Sequence, residues 1–154
     1  MFEKFAPVFS QNLSLEDKIR FFFREHITFL QKNPRLPGFI LNEINRNPQR
    51  MKKLLDKVDI HQIWWMLEEQ HHDELAEYNI TIDEIPQIMT TIASISVFPF
   101  AARGILEEIL KKGGIDFDEY LEERKEFAAD FVISALQNSK KPGSRKTEDR
   151  RRKP

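Results

Sequence analysis

The segment KNPRLPGFILNEINRNPQRM (residues 32–51) contains two Asn-Pro steps, one on each side of a short apolar stretch. The residue before a proline disfavours the helical region, so Asn33-Pro34 predicts the end of the preceding helix. Asn47 can cap the following helix and Pro48 can open it. These signals predict a helix of about ten residues between two longer ones, and a helix that short is stable only when it packs on its neighbours.

Apolar residues elsewhere recur at spacings of three and four, and the alternation typical of strands is almost absent. Ser14 and Asp116 predict the starts of two long helices, because both residue types accept hydrogen bonds from the first backbone N–H groups. Residues 48–78 predict one continuous helix, and its middle, residues 63–67, is apolar on every side and should be buried all round. Pro99 should kink or break its helix. We therefore predict an all-α multi-helix bundle of about six or seven helices.

Composition excludes several classes of protein. The chain has 154 residues, which is enough for one domain with its own core. It contains no cysteine, which excludes disulfides, thiolate metal sites and cysteine catalysis, and which agrees with a reducing cytoplasm as the expected location. The N-terminus, MFEKFAPVFSQ, does not resemble a signal peptide. No window approaches the ~20 apolar residues that a membrane helix needs, so we expect no membrane partner.

Charge is unevenly distributed along the sequence. Residues 1–138 carry 16 basic and 23 acidic side chains, whereas residues 139–154 carry eight basic and two acidic ones. The mildly acidic body is not typical of a nucleic-acid-binding surface. The basic tail has no apolar side chain to bury, so we expect it to be disordered and solvated.

The sequence gives little support for catalysis or for a metal site. It contains no nucleophile elbow, no P-loop and no glycine-rich dinucleotide turn, so we expect no enzyme, no catalytic residue and no cofactor. His61, His71 and His72 lie in one predicted helix, where Glu68 shares a face with His72. No second helix offers an obvious pair of ligands, so a solvated charged cluster is favoured over a metal-responsive bundle. His26 lies on an apolar face and should be a hydrogen-bonded core or pocket residue.

The aromatic residues exceed what a plain helical core needs. There are 13 Phe and two Trp, and three consecutive Phe, residues 21–23, cannot all face one core. Trp64 and Trp65 project in directions about 100° apart on a helix. Such residues can line a cavity for an apolar ligand, lie in a subunit interface or pack in the core. The apolar faces of the last two helices favour a four-helix interface between two copies of the chain.

Three segments of the sequence, together with the order of the helices, carry a resemblance to a known family. They are FFFREHITFLQKNPRLPGFILNEINRNPQRM (residues 21–51), ISVFPFAARGIL (residues 95–106) and DEYLEERKEFAADFVISALQ (residues 118–137). Over about residues 2–138 the chain resembles the C-terminal, ligand-sensing and dimerisation domain of TetR/AcrR-type (tetracycline-repressor-like) transcriptional regulators. Residues 2–12 resemble the end of the helix that links the two domains of such regulators.

The resemblance implies a homodimer whose last two helices form the interface, and a small apolar or aromatic effector bound between helices. Such regulators are usually repressors. Their N-terminal helix-turn-helix domain has no counterpart in this sequence, so we expect DNA binding only through that domain of a full-length protein. A ligand-free dimerisation module that pairs with full-length relatives is the alternative.

We predict three sets of functional residues from the helical pattern and the resemblance. The effector pocket should contain Phe22, Phe23, His26, Trp64, Trp65, Met89 and Ile92. The dimer interface should contain Ala93, Phe100, Tyr120, Arg124, Phe127, Ala128, Phe131 and Ala135. The short helix, which would couple effector binding to the DNA-binding domain, should act through Pro37, Phe39, Glu43, Asn47 and Pro48.

Overall fold

A computed structural model describes residues 12–57 and 59–139 of the chain. The helices of these ranges are α1 (Leu15–Lys32), α2 (Leu36–Arg46), α3 (Pro48–Leu55), α4 (Ile60–Glu77), α5 (Ile85–Ala101), α6 (Arg103–Lys112) and α7 (Phe117–Asn138), with a short 3-10 turn at Ile82–Glu84 before α5. No strand occurs within these ranges, and the predicted all-α class is confirmed. The predicted end of a linking helix and the basic tail lie almost entirely outside the described residues.

The predicted starts of the two long helices are confirmed. The Ser14 hydroxyl accepts a hydrogen bond from the backbone N–H of Asp17 at 3.1 Å. The Asp116 carboxylate accepts from the N–H groups of Asp118 and Glu119 at 2.9 and 3.0 Å. These side chains satisfy N–H groups that have no partner inside the helix, and each cap typically contributes about 1 kcal/mol.

The predicted short helix is also confirmed, as the 11-residue α2. Asn33 ends α1, and its N–H donates to the carbonyl of Leu30 at 3.0 Å. Asn47 lies between α2 and α3: its N–H donates to the Glu43 carbonyl at 2.8 Å, and its own carbonyl accepts from Arg50 at 3.0 Å. Asn33 therefore marks the end of α1, and Asn47 marks the end of α2.

The prediction of a single continuous helix over residues 48–78 is wrong. Two helices occur there, because Asp59 supplies a second N-cap: its carboxylate accepts from the N–H of Gln62 at 2.9 Å and starts α4. The expectation that the middle of this segment is buried all round is also wrong, since Trp65 is 65% exposed. The buried residues of α4 lie further on, at His71 and Leu75.

The core lies mainly between α1 and α7. Phe23 and Ile27 of α1 are completely buried, as is Ala129 of α7, and Leu121 is almost so. Ala128 and Ala129 are small enough to let the two helix backbones approach closely. Burial of one large side chain such as Phe23 typically contributes about 1.5–3 kcal/mol, so this contact is a principal source of stability.

Pro99 lies inside α5 and does not end it. Proline has no N–H, so the carbonyl of Ile95, four residues earlier, loses its helical donor. Nη2 of Arg124 on α7 donates to that carbonyl at 3.0 Å instead. The helix breaks at Ala102, and α6 continues at an angle of 75°. No single helix in the described ranges is long and apolar enough to cross a membrane, and α5 and α6 meet those criteria only as this bent pair.

We expect the substitution Arg124→Met to lower the free energy of unfolding by about 1–3 kcal/mol, because it leaves the Ile95 carbonyl without a donor. In a Pro99→Ala background, residue 99 regains its N–H and can bond that carbonyl within the helix. The same arginine substitution should then have a smaller effect. Urea unfolding of the four proteins at one protein concentration measures the difference, and equal losses in both backgrounds would refute this role of Arg124.

Candidate functional site

A partly enclosed cavity of ≈ 250 Å³ lies between α1, α4 and α5. Its wall is almost entirely apolar. It is formed by Leu15, Lys18, Ile19 and Phe22 of α1, by Leu67, His71 and Leu75 of α4, by Ile85, Ile88, Met89, Ile92 and Ala93 of α5, and by Ile80 and Leu136.

Helical periodicity explains why these residues face one space. The four wall residues of α1 follow one another at intervals of three, one and three positions, and those of α4 at intervals of four. Residues spaced in this way lie on one face of a helix. The cavity therefore forms where the apolar faces of three helices converge without filling the volume between them.

Four of the seven predicted pocket residues do not line this cavity. Phe22, Met89 and Ile92 do. Phe23 points away from the cavity and is completely buried in the core with α7, because consecutive residues on a helix project about 100° apart. Trp65 is largely exposed.

The remaining two predicted pocket residues, Trp64 and His26, lie outside the wall. Trp64 is half-buried, and its ring contacts the His61 ring edge-on, with the ring centroids 5.3 Å apart. Nδ1 of His26 lies 2.6 Å from the Ser96 hydroxyl, and both residues are buried. The His26 ring also stacks on Phe22 with the centroids 5.0 Å apart. His26 is thus a hydrogen-bonded core residue that joins α1 to α5.

Burial lowers the pKa of His26 below its ordinary value of 6.5. Below that pH the unfolded chain binds a proton that the folded chain resists, so the free energy of unfolding should decrease as the pH falls from 6.5 towards the folded pKa. Above pH 6.5 this residue should add no pH dependence to the free energy of unfolding. The slope from one such group reaches about 1.4 kcal/mol per pH unit.

The substitution His26→Gln retains a hydrogen-bonding side chain beside Ser96 but removes the titration. We expect urea unfolding between pH 5 and pH 7 to show that the free energy of unfolding decreases less in this variant than in the wild type as the pH falls. The difference should correspond to the binding of about one proton. His72→Gln is the matched control, because the side chain of His72 is exposed. A pH profile of His26→Gln that coincides with the wild-type profile would refute the assignment.

The sequence interpretation missed a small polar group beside the cavity. Lys18 and His71 are both buried and both belong to the wall. Nζ of Lys18 donates to Oε1 of Gln70 at 2.7 Å. Nδ1 of His71 lies 2.7 Å from one oxygen of Glu74, whose other oxygen accepts from the N–H of Leu15 at 2.8 Å. Desolvation lowers the pKa of Lys18, and the opposite charge of Glu74 partly offsets that effect.

The histidines and acids of α4 form no convergent metal site. No group of three or more His, Cys, Asp or Glu side chains that could hold a metal ion occurs in the part of the chain that the structure describes. Nδ1 of His72 lies 3.9 Å from Glu68, at the surface. His71, by contrast, points to the protein interior, so the three histidines do not act as one group.

The outer face of α7 carries exposed apolar side chains near the predicted interface. Phe127 and Phe131 are 63% and 59% exposed, and their rings stack with the centroids 6.3 Å apart. Ala135 follows four residues later and is also exposed. We call these three residues the outer stripe of α7.

The other predicted interface residues are placed differently. Phe100 and Ala128 are buried inside this chain, so the prediction that they belong to an outer interface is corrected. Ala93 lines the cavity. Tyr120 and Arg124 are half-buried and bond to each other, with Nη1 of Arg124 2.9 Å from the tyrosine hydroxyl.

Three comparisons with known proteins identify no relative of this chain. No protein-family model matches the sequence, and no curated protein or solved structure matches the chain. The structural features that bear on function are therefore the cavity, its polar group and the outer stripe of α7.

Proposed function

We propose that this chain is the effector-sensing and homodimerisation domain of a TetR-like transcriptional regulator, of the kind that usually acts as a repressor. The observation that carries the proposal is the apolar cavity between α1, α4 and α5. The sequence resemblance assigns an effector pocket to the same part of the bundle. Ligand sites of this kind are concave and mostly apolar, with few polar groups that orient the ligand.

The volume of the cavity indicates the size of the effector. An engineered protein cavity of ~150 Å³ accommodates benzene. By proportion, a cavity of ≈ 250 Å³ suits a molecule of about ten non-hydrogen atoms. A small apolar or aromatic effector fits both this volume and the composition of the wall.

The contacts around the cavity support a population shift as the mechanism. An effector changes the equilibrium only if it binds one packing of the helices better than the other. A ligand in the cavity would favour a packing in which α1, α4 and α5 are held apart. Because α5 also contacts α2, such a change would reach the short helix.

The short helix has the surface that a coupling element needs. Pro37 is buried, whereas Phe39 and Ile44 are exposed apolar side chains. In the proposal this exposed face contacts the linking helix of a full-length regulator. Glu43, Asn47 and Pro48 preserve the structure at the end of α2, so that α2 shifts as one unit. Contact with DNA would occur only through the N-terminal domain of that protein.

The outer stripe of α7 supports the proposed homodimer. Two large aromatic side chains that are mostly in contact with water are unfavourable in an isolated chain and are typical of a subunit interface. A two-fold axis beside α7 would place the stripe of one copy against the same stripe of the other. The stripe alone would also suit the ligand-free dimerisation module.

The sensor hypothesis predicts that a thermal-shift screen of small apolar and aromatic compounds finds a class that raises the melting temperature. A ligand at a hundred times its Kd should stabilise the native state by about 2.7 kcal/mol. Ala93→Phe, which adds a ring at the exposed edge of the cavity, should weaken binding of such a compound by about tenfold. Ser94→Phe is the matched control, because Ser94 is exposed like Ala93 but does not line the cavity. If no compound stabilises a protein that is dimeric, the ligand-free module is favoured instead.

The dimer hypothesis predicts that light scattering after gel filtration gives the mass of two chains. The double substitution Phe127→Glu with Phe131→Glu should give the mass of one chain, because it places four carboxylates in a small apolar contact. Trp65→Glu removes an equally exposed aromatic side chain from α4 and should leave the dimer intact. A monomeric wild-type protein, or a dimeric double variant, would refute this interface.

A further inference from the structure

His71 is the buried polar residue of the cavity wall whose hydrogen bonding is incomplete. It is 3% exposed. Its Nδ1 lies 2.7 Å from Oε1 of Glu74. An ionised carboxylate only accepts hydrogen bonds, so Nδ1 carries the hydrogen atom of this contact. The Nε2 atom is buried and has no hydrogen-bond partner within the described ranges.

The contact with Glu74 determines which ring nitrogen of His71 carries the hydrogen atom. Glu74 is the acid beside His71, and its second oxygen already accepts from the N–H of Leu15 at 2.8 Å. The buried ammonium of Lys18 interacts with the same carboxylate. A polar ring atom that is left without a hydrogen-bond partner in an apolar wall is unfavourable. With the hydrogen on Nδ1, Nε2 presents a lone pair.

We infer that the ligand of this cavity is a small apolar molecule with a phenol-type or alcohol hydroxyl that donates a hydrogen bond to Nε2 of His71. This inference rests on the proposed sensor function and specifies its effector class. Buried polar atoms in folded proteins almost always have a hydrogen-bond partner. When such an atom in a cavity wall has none, a polar group of a bound ligand can supply the hydrogen bond.

A carboxylate ligand fits the same wall less well. It would approach the lone pair of Nε2 and the negative charge of Glu74, and both contacts are repulsive. Among the described residues of the wall only Lys18 carries an ammonium, and the carboxylate of Glu74 already opposes its charge. A hydroxyl carries no charge and has the hydrogen atom that Nε2 lacks.

Calorimetric titration of the wild-type protein with three compounds of similar size tests the inference. They are para-propylphenol, its methyl ether para-propylanisole, which has no donor, and para-ethylbenzoate, which is an anion. We expect the phenol to bind about tenfold or more tightly than the ether, because only the phenol satisfies Nε2. The imidazole nitrogen signals of His71 in NMR spectra should shift with the phenol and not with the ether.

Two variants assign the preference to one residue. His71→Leu should bind the phenol and the ether with equal affinity. His72→Leu makes the same change at the neighbouring exposed histidine of α4 and should retain the preference of the wild type. If His71→Leu does not fold, the phenol-to-ether ratio of the wild type still decides the question.

The outcomes separate this inference from the proposed function. Equal binding of phenol and ether, or tightest binding of the benzoate, refutes the hydroxyl class but leaves the sensor proposal in place. If none of the three binds while the thermal-shift screen yields another ligand, the inference alone fails. If neither experiment yields a ligand, both the inference and the sensor proposal fail.

Discussion

The packing of α1 against α7 is the contact on which the rest of the bundle depends. The two helices run antiparallel, since Gln137 bonds to Glu16 at one end and Gln31 bonds to Glu122 at the other, each at 3.0 Å. Between these contacts Phe23 is removed completely from water. Surface hydrogen bonds of this kind contribute little energy, so the buried side chains between them hold the pair together. With one face of α1 used in this way, its opposite face remains for α4 and α5.

The cavity follows from how α4 attaches to that opposite face. The hydrogen bonds between the two helices lie at the start of α1, where Glu74 accepts from Leu15 and Gln70 accepts from Lys18. The hydroxyl of Tyr78, just after α4, donates to Glu16 at 2.6 Å. Much of the contact is therefore polar, and the large tryptophans of α4 point elsewhere. Polar contacts contribute less net free energy than a packed core of apolar side chains, so we expect α4 to be the wall of the cavity that moves most readily.

Local signals allowed much of the fold to be predicted. Helix caps such as Ser14 and Asp116 act within three residues of sequence, so they can be recognised without knowing the neighbouring helices. Asp59 uses the same chemistry but was overlooked inside an apolar segment. The site was predicted only in part, because periodicity shows which residues share a face but not which helix lies opposite. Lys18 interrupts an apolar face and His71 belongs to a charge-rich run, and only the approach of α4 to α1 makes either a buried residue.

Arg124 links the two surfaces that the proposal assigns to sensing and assembly. Its guanidinium bonds to the Ile95 carbonyl that Pro99 leaves without a donor, and α5 is a wall of the cavity. Its own helix carries Phe127 and Phe131 on the outer side. Because a directed hydrogen bond to a fixed carbonyl is lost over small displacements, α5 cannot shift at this point without either moving α7 or breaking the bond. In the proposed sensor, this contact gives a change in the cavity a direct physical route to the dimer interface.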